Sequence, residues 1–167
     1  MSVRLVYFLF VSLAAVPGLG GDSAVFVLDT SGSMAGENAE SQVESVGVLI
    51  PCLPATMSVG VVTFNHEARV LHPLTPLPEV DRGAWIEELR GVAPNGGTDI
   101  LAGVQRGLEL LETGGALVVL GDGLKAAVMA AMPVAVVALC RMRAFVRDVF
   151  VLVRHRGENV SARPEST

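Results

Sequence analysis

Three segments are apolar on nearly every residue for about the length of one strand: "SAVFVLD" (23–29), "SVGVVTFN" (58–65) and "ALVVLGDG" (116–123). A strand with one wet face alternates apolar and polar residues; these runs do not, so both of their faces must be covered. The intervening stretches carry helical spacing. "ENAESQVESVGVLIPC" places Val43, Val46 and Ile50 on one stripe and stops at Pro51. "PEVDRGAWIEELRGV" turns Trp85, Ile86 and Leu89 inward, with Pro78 near its first turn. "PNGGTDILAGVQRGLELLETGG" gives a helix capped at Thr98, with Ile100, Leu101, Val104, Leu108 and Leu111 inward and Gly114 and Gly115 closing it. Strands separated by helices predict a mostly parallel sheet with helices on both faces.

"ARVLHPLT" (68–75) follows the second strand too closely for a crossover, so the two form an antiparallel hairpin, and Pro73 confines the later strand to an edge. "PVAVVALC" and "DVFVLV" read as two further strands, separated by "RMRAFVRD" as a brief helix or turn. At 167 residues the chain has room for one domain with a sizeable core. That domain is assigned to 21–157, followed by a polar tail at 158–167.

Residues 1–20 have one early cation, Arg4, an apolar run from Leu5 to Val11, and small residues at Ala14 and Gly20 that suit cleavage. This is the layout of a secretory signal. It predicts an exported protein, at the cell surface, in the periplasm or secreted; a retained anchor, an extra strand or a misread start are the other readings, the last two leaving the chain cytoplasmic. Cys52 and Cys140 fall at opposite ends of the expected sheet and are read as two reduced, packed thiols.

The net charge of −5 is unevenly distributed: residues 1–140 carry about −8 and the last 27 about +3, from six arginines against three acids. An acidic body with a single Trp and a single Tyr has neither the basic groove nor the stacking platform that nucleic acids require. "HEARVLH" lacks the zinc-hydrolase spacing, and His66 and His72, roughly 20 Å apart along a strand, do not chelate together. There is no nucleophile elbow, Walker loop or GxGxxG.

Chemistry concentrates where the strands end, because ligands of open α/β sheets bind beyond the strands' carboxyl ends. Asp29 ends the first strand and Asp122 the fourth, while Thr98 opens the long helix between them. Ser31 and Ser33 follow Asp29 at alternate positions, with Gly32 expected to let the backbone curl. Hydroxyls and carboxylates without thiol or imidazole select a hard cation: Mg²⁺, with Mn²⁺ or Ca²⁺ also suited. Two carboxylates balance a divalent charge and leave a coordination position for a partner's Asp or Glu.

"DTSGSM", "GGTD" and "GDG", in this order and on these elements, resemble the metal-ion-dependent adhesion site of von Willebrand factor A-type domains, over about residues 23–153. The resemblance implies that Ser31, Ser33 and Thr98 ligate the metal, directly or through water, and that Asp29 and Asp122 hold it largely through water. It also implies a doubly wound, Rossmann-like, six-stranded sheet with one antiparallel edge strand. Two departures stand out: Gly121 replaces the hydroxyl residue common before the last aspartate, and the C-terminal part is shortened.

The function implied is a non-enzymatic binding module that grips a carboxylate on a protein partner through Mg²⁺. A subunit working with an AAA+ ring ATPase in metal or cofactor insertion, or in complex remodelling, is the alternative within the family. A metal-dependent hydrolase would need a general base that the sequence does not supply. Asp29 and the serines acting only as a helix cap would leave Thr98 and Asp122 unexplained.

Overall fold

The computed structural model describes residues 22–111 and 115–121, together with the backbone of strands at 136–140 and 148–154. Strand β1 (Ser23–Asp29) is followed by helix α1 (Glu37–Leu49), β2 (Ser58–Phe64), β3 (Ala68–Pro76), α2 (Arg82–Gly91), α3 (Ile100–Leu111) and β4 (Gly115–Gly121). The last two strands are β5 (Val136–Cys140) and β6 (Asp148–Arg154).

β1 is central. It pairs in parallel with β2 on one side and β4 on the other, and β3 closes the edge as an antiparallel partner of β2. The pleat sends alternate residues of β1 to opposite faces. Ala24, Phe26 and Leu28 pack with Val46 and Leu49 of α1 and with Trp85 and Leu89 of α2. Val25 and Val27 pack with Val104 and Leu111 of α3. Two dry layers therefore sandwich β1, which is why its sequence shows no alternation. Each fully buried Val, Leu or Phe contributes about 1.5–3 kcal/mol.

Pro73 lies where the β2–β3 register slips, between the Val59–Thr75 and Val61–His72 pairs. A residue without an N–H is tolerated at such an irregularity of an edge strand. Pro51 ends α1 as expected, inside a 3₁₀ turn at Ile50–Cys52. The second helix starts later than the sequence suggests: Pro78 sits in a separate 3₁₀ turn, and Asp81 caps α2 by accepting from the Ala84 N–H at 3.0 Å.

The expected six-stranded, mostly parallel sheet needs correction. Side chains are described for four strands, β3-β2-β1-β4, in which the parallel core and the antiparallel edge are as anticipated. Beyond β4, the backbone of β6 pairs antiparallel with β4, and β5 antiparallel with β6. Residues 141–147 are too few for a parallel crossover, which takes a dozen or more.

A second correction concerns α3. Leu101, expected inward, is 50% exposed, whereas Gly103, Val104, Gly107 and Leu111 are buried. Glycines at 103 and 107 let the helix approach the sheet: a Cβ on Gly103 would fall 2.6 Å from the Phe64 ring, and one on Gly107 2.5 Å from Leu117 Cδ1. Cys52 is a free thiol, donating to the Val48 carbonyl at 3.2 Å; Cys140's side chain, the N-terminal segment and the polar tail lie outside the described residues. Among the described residues no helix is long and apolar enough to cross a membrane.

Candidate metal centre

The centre is built at the carboxyl end of β1. Asp29 is 2% exposed, held at the end of a buried strand, and one of its oxygens, Oδ1, accepts the Ser31 N–H at 2.8 Å. That bond folds the chain back over the carboxylate. Ser31 is 1% exposed, Ser33 is exposed, and their Oγ atoms lie 3.2 Å apart. The curl comes from consecutive 3₁₀ bonds, Met34 N–H to Ser31 C=O and Ala35 N–H to Gly32 C=O. The chain curls at Gly32 without a positive φ there; the positive φ nearby belongs to Gly36, at +77°.

A second loop, residues 92–99, is tied to the first by backbone hydrogen bonds. Asn95 N–H donates to Thr30 C=O at 2.9 Å, and Gly32 N–H donates to Gly96 C=O at 3.1 Å. The β2–β3 turn joins them: Asn65 Nδ2 donates to Asn95 Oδ1 at 3.1 Å, and Thr30 Oγ1 donates to Phe64 C=O at 2.9 Å. Gly96, with φ of +71°, is required as glycine, because a Cβ there would fall 2.5 Å from His66 Nδ1.

Thr98, in this second loop, is exposed. It does not cap α3 as expected. Asp99 does, accepting the Ala102 N–H at 3.0 Å through Oδ1. With the cap supplied by its neighbour, the Thr98 hydroxyl makes no hydrogen bond among the described residues. Asp122 lies outside the described residues; Gly121 before it ends β4, the parallel neighbour of β1, with Leu28 opposite Leu120.

These donors suit a small hard cation. Neighbouring oxygens around an octahedral ion with ligands at 2.0–2.1 Å are about 2.9 Å apart, close to the Ser31–Ser33 separation. No group of three or more His, Cys, Asp or Glu clusters among the described residues. Sequence reading missed two positioning residues. Gln42 of α1, 3% exposed, donates through Nε2 to the Leu120 C=O at 3.0 Å and fixes the helix against the end of β4. Asn95 bridges two loops. The only sequence signal for either is a polar residue beside an apolar stripe or a Gly-rich turn.

The described site falls within residues 24–125, which match the family model of the von Willebrand factor type A domain. The chain belongs to this family. The A domain's β3-β2-β1-β4 core with helices on both faces is a mixed α/β arrangement. It is 25% identical to the vWF domain of the type V pili tip protein Mfa5 from Porphyromonas gingivalis, at a TM-score of 0.50, covering 61% of this chain and 38% of that one. The PilB minor pilin from Streptococcus sanguinis shares the fold at 17% identity and a TM-score of 0.54, with 87% of this chain and 40% of that one covered. A von Willebrand factor type A protein from Catenulispora acidiphila is 26% identical over 50% of this chain and 21% of that one, at a TM-score of 0.47. The A domain thus spans less than half the length of each. No curated protein matches the chain.

Proposed function

We propose that this A domain is a non-enzymatic adhesion module that binds Mg²⁺ through Ser31, Ser33, Thr98, Asp29 and Asp122 and holds a carboxylate of a protein partner. The observation that carries the reading is the pair of serine hydroxyls 3.2 Å apart beside a locked carboxylate. When bound, the cation supplies an electrophilic coordination position for an acidic side chain. Asp29 and Asp122 offset its charge, and Asp29 is kept in place by the Ser31 N–H. Thr98 is available because Asp99 takes over the helix cap. The ties between the two loops order the donors before binding, which lowers the entropic cost of assembling a site.

Export to the cell surface is part of the same proposal. It is supported by the leader-like residues 1–20 and by the likeness to a pilus tip domain. Mn²⁺ in place of Mg²⁺ tests the open position. With the full chain present, ¹³C-acetate should show carboxylate relaxation well beyond that of free Mn²⁺, reversed by excess Mg²⁺. Relaxation no larger than the free-ion control would contradict a carboxylate-accepting site.

A further inference from the structure

A groove of about 530 Å³ runs between α1 and the C-terminal end of α2. Its floor is aliphatic, from Val43 and Leu89; one wall carries Glu40 and Glu44, and the other Val92 and Pro94. Glu40 and Glu44 are exposed, one helical turn apart, and neither carboxylate makes an ion pair among the described residues. Arg90, the cation at the rim, pairs instead with Glu87 of its own helix. Like charges at i and i+4 destabilise a helix by a few tenths of a kcal/mol. The helix dipole offsets this for Glu40 in the first turn but not for Glu44.

We infer that this groove is a docking site for an extended polypeptide segment carrying a Lys or Arg flanked by aliphatic side chains. The cation would sit between Glu40 and Glu44, and an aliphatic neighbour would reach Val43 and Leu89. Small-molecule sites are marked by several convergent hydrogen-bonding groups; here the polar side chains line one wall and the rim. From Gly36 to Glu44 the wall is roughly 12 Å long at 1.5 Å per residue, the span of about four residues of extended chain. The inference does not rest on the metal. The groove nevertheless adjoins both loops of the metal centre in sequence, since Gly36 lies three residues after Ser33 and Pro94 four before Thr98. One partner therefore has a second place to hold.

The test uses the full ¹⁵N-labelled chain and a synthetic octapeptide with a Leu-Arg-Ala-Leu core, followed by amide chemical shifts in EDTA. Saturable shifts are expected at Ala39, Val43, Val92 and Ala93, weakened at least about tenfold by the Glu40→Gln/Glu44→Gln double variant. Replacing the peptide's Arg by citrulline should weaken them similarly. Ala93→Trp, an exposed position, should block binding while leaving the rest of the spectrum in place. Absence of saturable shifts at the groove up to millimolar peptide, equal affinity in the double variant, or binding that appears only with Mg²⁺ would each overturn the inference. The last outcome would place the peptide at the metal centre and leave the proposed function standing.

Discussion

Gly121 stands against Asp29: a Cβ on Gly121 would lie 3.1 Å from Asp29 Oδ2 and 3.2 Å from Asp29 Cβ. The two residues end parallel neighbouring strands, so the residue at 121 sets how much room the carboxylate has. At the level of sequence Gly121 is a missing hydroxyl; in the fold it is the space that lets Asp29 keep its bond to the Ser31 N–H. Gly121→Val should push the carboxylate aside and weaken Mg²⁺ binding at least about tenfold by calorimetry. Gly121→Ala, needing a shift of a few tenths of an ångström, should stay within about threefold.

His72 makes stability depend on pH. The residue is 8% exposed, its ring stacks on Trp85 with centroids 3.9 Å apart, and its Nε2 has no hydrogen-bond partner among the described residues. Burial pushes its pKa below the ordinary histidine value, with Glu88 partly countering the shift. The unfolded chain therefore binds the proton more tightly. The stabilisation is present above the unfolded pKa of about 6.5 and is lost as pH falls from there through the folded value. His72→Phe should keep the stack, remove this dependence between pH 7 and 5, and raise stability by about 1 kcal/mol at neutral pH. Urea melts at several pH values read both effects.

The close approach of α3 predicts the opposite of helix propensity. Alanine is favoured over glycine in a helix by about 1 kcal/mol, but a Cβ at 103 meets the buried Phe64 ring at 2.6 Å. Overpacking of this kind typically costs about 1–3 kcal/mol. Gly103→Ala should lower the urea midpoint; a raised midpoint would show that the helix has room to move.

On the same helix, Leu101 and Leu111 should behave differently. Leu101 is half exposed, and Leu101→Gln should change stability by no more than about 0.5 kcal/mol. Leu111 is 1% exposed, and Leu111→Ala should cost about 2–5 kcal/mol.

That contrast shows what the sequence made legible and what it hid. The unalternating run at 24–28 identified a strand covered on both faces, and Asp29 is its last residue. Of the stripe read on α3, Ile100, Val104, Leu108 and Leu111 pack on the sheet and Leu101 does not, while the close approach itself is set by Gly103 and Gly107. A residue chosen for the space it leaves has no hydrophobic signature. The exchange of caps between Thr98 and Asp99 was hidden for another reason: both are good caps, and only the chain path shows which carboxylate or hydroxyl meets the Ala102 N–H. The antiparallel pairing of β6 with β5 follows from the length of one connection, which the apolar pattern of the strands does not encode.

Isothermal titration of the full chain with Mg²⁺, beside the Ser33→Ala and Thr98→Ala variants, tests the metal centre most directly. Both positions are exposed, so the variants should keep their melting temperatures within a few degrees. Saturable one-to-one binding by the unaltered chain, at least about tenfold weaker in each variant, is the predicted result. Indistinguishable titrations of all three folded proteins would contradict it.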